Sequence, residues 1–243
     1  MQAQCGVYRL GTVDYQRAWE LQNQLAGEIA RGARPQSLLV LQHPHTYTFG
    51  RSGHIENLLW GKSERERRGI RVHWVDRGGD VTYHGPGQLV GYPLIQLANS
   101  GLKVDALAGK ARLPQADYLG YLRRLEETLI LALQWLGVPS KQVDGLTGVW
   151  AEPRAGSAAE PAKIAAIGVK VDVNGISRHG FALNVDPDMT YWQGIVGCGL
   201  KEHPVTSLAQ IMPEPPSVER MEDLVIQAFA QVFHFEILEK DPV

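Results

Sequence analysis

The 243-residue sequence is 44% hydrophobic and 21% charged, which is typical of a globular chain that buries a large core. Its formal net charge of −2 provides no global attraction to nucleic acid or to an anionic membrane. The two cysteines, Cys5 and Cys198, are too few for a disulfide framework and lack the paired spacing of a zinc site.

Two further features bear on the compartment. No apolar run approaches the ~18 residues of a membrane span, and the first residues do not resemble a signal peptide. We therefore expect a single domain over residues 1–243 in the reducing cytoplasm, without metal, nucleic-acid or membrane binding.

Apolar periodicity predicts the following elements in chain order. A short strand is expected at 8–10, and a helix follows Asp14, a good N-cap, until about Gly32. Strands are then predicted at 38–41, 70–75, 89–97 and 233–237, and helices at 116–136 and 218–231. The apolar stripe of the helix at 116–136 consists of Tyr118, Leu122, Leu125, Leu129, Ala132 and Leu136. The segments 100–115 and 152–162 show no periodicity and are predicted to be flexible.

A hairpin is the strongest local prediction. Asn174-Gly175 separates two alternating runs and favours a two-residue turn, because both turn positions need a positive φ. That register places Gly168 opposite Phe181. It also puts Lys163 at the end of an apolar face that includes Ala165, unless a bulge shifts the strand.

A glycine-rich segment follows the strand predicted at 70–75. It consists of Arg77-Gly-Gly-Asp-Val-Thr-Tyr-His-Gly-Pro-Gly-Gln88, which has more glycines than a plain connection needs. Polar side chains among glycines are typical of a loop whose backbone approaches a ligand, although a complex structural turn explains the pattern equally well. The spacing matches neither a Walker loop nor a dinucleotide-binding loop.

Cys198 lies between two glycines, Gly197 and Gly199. A lone cysteine is more often a small buried apolar residue than a nucleophile. The glycines, however, would leave its sulfur accessible and place bare backbone N–H groups beside it, as an oxyanion site requires. Cys5 has no such setting.

Four motifs together resemble the lipoyl(octanoyl) transferase family, also called lipoate–protein ligase B. They are Arg77 to Gln88, Lys163-Ile-Ala-Ala-Ile-Gly168, Arg178-His-Gly-Phe-Ala-Leu-Asn184 and Cys198-Gly199. The stretch from His43 to Arg51 fits as well, so the resemblance spans most of the chain. The chain departs from the family's pattern in longer connections around 103–114 and 152–162, and in Gly197, where a proline is common.

The resemblance implies an α/β (α+β) fold, a mixed β-sheet with packed helices similar to the catalytic domains of biotin and lipoate protein ligases. It implies an acyltransferase that moves an octanoyl group from octanoyl-acyl carrier protein to one lysine of a lipoyl domain. The implied acceptors are the lipoyl domains of 2-oxoacid dehydrogenases and the glycine cleavage H protein. No cofactor is implied.

The same resemblance assigns roles to residues. Cys198 matches the catalytic nucleophile and Lys163 the lysine that activates it. The residues implied in substrate binding are Arg77, Gly78, Gly79, Asp80, Val81, Thr82, Tyr83, His84, Ala166, Ile167, Gly168, Gly180, Phe181 and Ala182. His84 and His179 are accessory candidates for holding the oxyanion. The predicted hairpin supports this assignment, because it makes two of the implied segments cross-strand neighbours.

The implied pair of residues suggests a mechanism. At ~4 Å and an effective dielectric of ~20, a Lys163 ammonium favours a Cys198 thiolate by about 4 kcal/mol. Before any desolvation cost, that energy is enough to bring a thiol pKa of ~8.5 below neutrality. Once the sulfur is acylated, a neutral Lys163 can accept the proton of the attacking amine.

Three other functions stay open from the residues alone. The first is an ATP-dependent lipoate or biotin ligase with the same core, which should carry a G-R-G-R-type nucleotide loop that the sequence lacks. The second is a cysteine hydrolase that uses Cys198 with His84 or His179. The third is a non-catalytic binding module. A requirement for ATP would indicate the ligase, and thioester turnover without an acceptor protein would indicate the hydrolase. Tight binding of acyl carrier protein without transfer would indicate the binding module.

Overall fold

The computed structural model describes residues 3–97, 103–105, 110–112, 117–153, 160–197 and 204–241. The strands are β1 (Ala3–Thr12), β2 (Gln36–Gln42), β3 (Thr46–Phe49), β4 (Arg71–Trp74), β5 (Val81–His84), β6 (Gln88–Leu94), β7 (Lys103–Asp105), β8 (Lys110–Arg112), β9 (Ser140–Val143), β10 (Leu146–Ala151), β11 (Ala162–Val171), β12 (Ser177–Asn184) and β13 (Phe235–Lys240). The α-helices are α1 (Tyr15–Ala30), α2 (Lys62–Arg67), α3 (Tyr118–Trp135), α4 (Leu208–Ile211) and α5 (Val218–Phe233). Short 3₁₀ helices cover Ile55–Asn57 and Met189–Gly194.

Within the described ranges, eight strands form one mixed sheet in the order β13-β1-β2-β6-β12-β11-β10-β9. β1 is parallel to its neighbours β13 and β2, and the other neighbouring pairs are antiparallel. A smaller sheet has the order β4-β3-β5, and β7 pairs with β8. The expected fold class, a mixed sheet with packed helices, is confirmed.

Apolar residues alternate along the central strands and create a core on each face of the large sheet. On β2, Leu38 and Val40 belong to the core to which α3 and α5 contribute. Their neighbours Leu39 and Leu41 belong to a second core, to which α1 contributes. α1 begins at Asp14 as predicted, because the carboxylate of this residue accepts the backbone N–H groups of the first helical turn.

The predicted hairpin forms, but the predicted register is wrong by one residue. β11 and β12 are antiparallel, and Gly168 lies opposite Gly180 rather than Phe181. The observed register places Ala166–Gly168 directly opposite Gly180–Ala182. Two of the three segments that the family resemblance assigned to substrate binding are therefore paired with each other, residue by residue.

The turn of this hairpin explains the difference in register. Its loop has three residues, because the Asp172 carboxylate accepts the N–H groups of Asn174 (2.8 Å) and Ile176 (3.0 Å). Gly175 has a φ of 81°, whereas Asn174 does not have the positive φ that a two-residue turn requires. The side chain of Asp172, which lies outside the Asn-Gly pair, thus determines the length of the turn.

A bulge in β11 removes Lys163 from the face of the strand on which the sequence predicts it, next to Ala165. Val149 pairs with Ala165 and Trp150 pairs with Lys163, so Ile164 is an extra residue in β11. Ile164 and Ala165 both belong to the core that includes α3 and α5. Lys163 instead contacts the ring of Trp150, outside that core. It is therefore not on the apolar face on which simple alternation would place it.

Most other predicted elements are present, with differences in detail. Tyr118 is exposed, so the buried stripe of α3 begins at Tyr121. The segments predicted to be flexible lie partly outside the described residues, and their described part contains the β7–β8 pair. The sequence patterns did not predict the short elements β3, β5, β7, β8, β9, β10, α2 and α4. None of the helices in the described ranges combines the length and the apolar composition needed to cross a bilayer.

Candidate active site

A cavity that is partly open to solvent lies between β11, β12 and the glycine-rich segment. The residues that line it are Tyr15, Arg77, Gly78, Gly79, Thr82, His84, Tyr92, Ala166, Ile167, Gly168, His179, Gly180, Phe181 and Ala182. The fold thus collects most of the residues that the resemblance assigned to substrate binding. The others, Asp80, Val81 and Tyr83, lie outside the lining.

These three residues contact the smaller sheet or its neighbouring loop, on the side of the glycine-rich segment that faces away from the cavity. Val81 and Tyr83 alternate with the lining residues of β5 and pack in the core of the smaller sheet. The Asp80 carboxylate accepts the backbone N–H groups of His54 (3.0 Å) and Val81 (2.7 Å). They stabilise the segment and do not touch the cavity.

Arg77 anchors the glycine-rich segment to the smaller sheet. It is 6% exposed, and its Nη2 donates to the carbonyl oxygen (2.5 Å) and to Oγ1 (2.9 Å) of Thr48 on β3. The next residue, Gly78, donates its N–H to the carbonyl oxygen of Val169 on β11 (3.0 Å). The segment therefore spans the distance between the two sheets, over the cavity.

Small residues create the space beside the sheet. Ala166 pairs with Ala182, and Gly168 pairs with Gly180. A Cβ atom at Gly168 would lie 3.1 Å from the Arg77 Cδ and 3.1 Å from the Gly78 carbonyl oxygen, closer than ordinary van der Waals contact. The absence of a side chain at Gly168 therefore lets the glycine-rich segment lie close to β11.

From the octanoyl site that the family resemblance implies, Gly168→Val is expected to weaken octanoate binding by at least about tenfold, because the added methyl groups occupy the cavity or push the segment away. The fold should survive, since overpacking costs about 1–3 kcal/mol. Calorimetric titration with octanoate and a thermal melt measure the two effects. Val169→Ile, which adds a methylene group on the other face of β11, is the control, and an unchanged affinity of Gly168→Val would contradict the prediction.

His84 is buried in a set of hydrogen bonds that determines its tautomer. The Gln88 side chain donates from Nε2 to the Tyr83 carbonyl oxygen (3.0 Å) and to Asn184 Oδ1 (2.9 Å). Its Oε1 therefore accepts from His84 Nδ1 (2.9 Å), and Thr48 Oγ1 donates to His84 Nε2 (3.3 Å). Burial lowers the pKa of His84 well below its usual value, so the ring is neutral at pH 7.

His179 is also buried, and burial lowers its pKa as well. Its Nε2–H donates to Asp76 Oδ1 (2.8 Å), and its Nδ1 accepts from the Tyr15 hydroxyl (3.4 Å). Both histidines thus use both ring nitrogens in bonds within the protein. Their accessory role toward an oxyanion stays a prediction.

Lys163 lies on the strand that forms one cavity wall, three residues before Ala166. It does not line the cavity. Its Nζ lies 4.9 Å from the centre of the Trp150 ring, and the residue is 8% exposed. The ring face and the low exposure hold this cation in a defined place.

Gly148 on β10 leaves room for the lysine side chain. A Cβ atom there would lie 3.3 Å from Lys163 Cε and 2.6 Å from the Ala165 carbonyl oxygen. The φ of Gly148 is 126°, and its N–H donates to the buried Glu126 Oε1 (2.9 Å). The carboxylate on α3 thus holds the glycine next to Lys163.

Cys198-Gly199 lies outside the described residues. The chain is described again from Pro204, whose carbonyl oxygen accepts the N–H of Lys163 (2.8 Å). Thr206 then donates its N–H to the Lys163 carbonyl oxygen (3.0 Å). The described chain from Pro204 to Thr206 therefore runs directly beside Lys163.

The other cysteine is unsuited to nucleophilic chemistry. Cys5 is completely buried in the core, and burial raises the pKa of its thiol to about 12. In the sequence, Cys5 is not flanked by glycines on both sides, and its buried position agrees with a role in packing alone.

Three residues at the site, Tyr15, Tyr92 and Asp76, were not predicted from the sequence. The first two line the cavity, and the third is the partner of His179. Tyr15 follows the helix N-cap and Tyr92 lies in an apolar strand, so neither had a local signal. No three His, Cys, Asp or Glu side chains in the described part of the chain are grouped as metal ligands would be.

Sequence comparison shows extensive similarity to one family. The family described as "Lipoyl protein ligase A/B catalytic domain" matches residues 14–230. An octanoyltransferase from Chloroflexus aggregans is 40% identical over 227 residues, covering 93% of this chain and 94% of that protein. An octanoyltransferase from Solibacter usitatus is 42% identical over 234 residues, covering 96% and 95% of the two chains.

Solved structures of lipoate ligases share the fold. A bipartite lipoate protein ligase from Thermoplasma acidophilum superposes with a TM-score of 0.72 at 15% identity, covering 99% of this chain and 88% of that chain. A lipoate-protein ligase A bound with ATP superposes with a TM-score of 0.66 at 14% identity, covering 100% and 90%. At these identities the likeness is one of fold alone.

Proposed function

The chain belongs to the lipoyl protein ligase A/B catalytic-domain family, and from that membership we propose how its residues transfer an octanoyl group. It is an acyltransferase that acts in protein lipoylation. The octanoyl group leaves octanoyl-acyl carrier protein, forms a thioester with Cys198 and passes to a lysine of a lipoyl domain. The acceptors are lipoyl domains of 2-oxoacid dehydrogenases and the glycine cleavage H protein. The reaction takes place in the cytoplasm, where thiols stay reduced.

The cavity is the observation that carries this proposal. Its sheet wall consists of small residues, Ala166, Gly168, Gly180 and Ala182, and leaves room for an acyl chain along β11 and β12. Arg77–Gly79 covers the opposite side. An acyl chain lying along β11 toward its N-terminal end would bring its carbonyl carbon toward Lys163, on the same strand.

The first half-reaction exchanges one thioester for another. The Cys198 thiolate attacks the carbonyl carbon of the donor, a carbon–sulfur bond to Cys198 forms, and the bond to the carrier's thiol breaks. The Lys163 ammonium gives its proton to the departing thiolate. Lys163 is then neutral and the octanoyl group is bound to Cys198. This exchange is nearly isoenergetic, so the enzyme needs mainly to supply the thiolate.

The second half-reaction forms the amide. The amine of the acceptor lysine attacks the thioester carbonyl carbon, and neutral Lys163 accepts the proton that the amine loses. The carbon–sulfur bond breaks, which restores the thiolate and the ammonium. One lysine thus serves both steps. The contact of its Nζ with the Trp150 ring and the backbone bonds to Pro204 and Thr206 hold Lys163 in place.

Intact-mass measurement tests the proposal. The protein is incubated with octanoyl-acyl carrier protein without ATP, and a lipoyl domain is then added. We expect one octanoyl group on Cys198 before the addition, and one on the lipoyl domain and none on the enzyme afterwards.

The outcomes separate the alternative functions. A requirement for ATP would indicate a ligase, and rapid loss of the octanoyl group to water without a lipoyl domain would indicate a hydrolase. Binding of the carrier protein without any adduct would indicate a non-catalytic module. An adduct on a residue other than Cys198 would reject the proposed nucleophile.

A further inference from the structure

Asp76 lies two residues after β4, immediately before the glycine-rich segment, and it belongs to none of the predicted substrate-binding segments. Its carboxylate binds two consecutive residues of β12. Oδ1 accepts from His179 Nε2 (2.8 Å), and Oδ2 accepts from Arg178 Nη2 (2.7 Å). These bonds join the start of the segment to a strand that forms the cavity wall.

His179 has a backbone conformation that strand residues normally avoid. Its φ is 56°, in the left-handed region that is unfavourable for residues with a side chain. Two residues of α1 help to hold it there: Gln22 Oε1 accepts the backbone N–H of His179 (2.7 Å), and the Tyr15 hydroxyl donates to its ring (3.4 Å). Asp76 binds the other ring nitrogen. The shape of this part of the cavity therefore depends on contacts from both α1 and Asp76.

The covering segment is attached to both strands of the cavity wall. Arg77, Gly78 and Gly79 follow Asp76 directly and line the cavity. Gly78 donates its N–H to the Val169 carbonyl oxygen on β11, while Asp76 binds β12. Loss of the Asp76 carboxylate would release the connection to β12 and leave the connection to β11.

We propose that Asp76 is a positioning residue that holds the Arg77–Gly79 segment closed over the bound acyl chain. This inference rests on the proposed function, since it takes the cavity as the octanoyl site. With the segment held, the acyl chain enters a preformed cavity, and the firmly bound chain keeps the thioester at its other end in place. Without it, octanoyl affinity falls and the acyl-enzyme loses its octanoyl group to water more rapidly.

The charges at this contact agree with the geometry. The hydrogen bond from His179 and the Arg178 guanidinium hold the pKa of the Asp76 carboxyl well below its usual range. Burial keeps His179 neutral at pH 7, so that its Nε2–H is a donor to an ionised carboxylate. The ionised carboxylate of Asp76 thus accepts a hydrogen bond from each of its two partners, Arg178 and His179.

Asp76→Ala tests the inference in the full-length protein. We expect octanoate affinity, measured by calorimetric titration, to fall about tenfold, and hydrolysis of the octanoyl-enzyme without acceptor to rise by a similar factor. The KM for octanoyl-acyl carrier protein should rise as affinity falls, while kcat for transfer at saturating donor changes less than about threefold. Asp223→Ala removes an exposed carboxylate that pairs with Arg9 (2.9 Å) far from the cavity in the fold, and should change none of these values.

A second variant covers the case in which Asp76→Ala does not fold. Asp76→Asn keeps an acceptor for His179 and loses the charge toward Arg178, so we expect intermediate values. Octanoate affinity and hydrolysis rate that match the wild type in a folded variant would overturn the inference, even though the octanoyl adduct on Cys198 still forms. If the wild type forms no adduct, the proposed function fails instead. A wild type that forms the adduct but does not bind octanoate would overturn the inference alone, because the cavity would then not be the octanoyl site.

Discussion

Replacing Cys198 with serine is expected to abolish the octanoyl adduct and to lower transfer by at least about 10³-fold. A serine hydroxyl is far less acidic than a thiol, so a neighbouring ammonium does not ionise it near neutral pH. The thiolate that takes the octanoyl group from the carrier would then be missing. Intact mass after incubation with octanoyl-acyl carrier protein, and the rate of modification of a lipoyl domain, measure the two effects.

Cys5→Ala is the matched control for this experiment. Cys5 is completely buried in the core, so its replacement should leave the adduct intact and affect mainly the thermal stability. A full adduct on Cys198→Ser would show that another residue is the nucleophile.

Lys163→Ala is expected to raise the pKa of the Cys198 thiol toward its ordinary value of ~8.5 and to lower transfer by roughly 10²–10⁴-fold. A cation favours the thiolate, so its removal shifts the ionisation to higher pH and leaves less thiolate at pH 7. The rate of alkylation of the thiol against pH measures the shift. Lys62→Ala removes an exposed lysine of α2 and should leave the profile unchanged.

Lys163→Arg separates the two roles of the lysine. A guanidinium stays charged, so it should still favour the thiolate and permit formation of the acyl-enzyme, with the carrier's departing thiolate taking its proton from water instead of from residue 163. It cannot accept a proton from the attacking amine, so the octanoyl-enzyme should accumulate when a lipoyl domain is added. Alkylation profiles that do not differ between the wild type and Lys163→Ala would reject the proposed pairing of Lys163 with Cys198.

Local sequence patterns predicted the elements that depend on nearby residues. The helix after Asp14 was predicted correctly, because its N-cap and its apolar stripe lie within the same short segment of sequence. The pairing of β11 with β12 was predicted correctly, because two alternating runs flank one turn. Its register was wrong because the Asp172 carboxylate, and not the Asn-Gly pair, determines the turn. The face of Lys163 was wrong because a bulge does not show in a pattern of alternation.

The candidate site was predicted only in part. The glycine-rich segment and the hairpin stood out because they combine small and polar residues in an unusual way. Tyr15 and Tyr92 were missed because each is an ordinary residue of its helix or strand. Asp76 was missed because its partners, Arg178 and His179, lie about a hundred positions later in the chain.

The sequence by itself determined which chemical groups the protein can use: one cysteine between glycines, one lysine at the start of a strand, and small residues where an acyl chain needs space. Side-chain chemistry and local turns are properties of short segments, so they can be recognised without a fold. Only the tertiary structure decided that the wall of small residues is covered by the Arg77–Gly79 segment and that Asp76 joins this segment to β12. Such contacts join residues far apart in the chain, and they depend on strand register and on a bulge that no local pattern specifies.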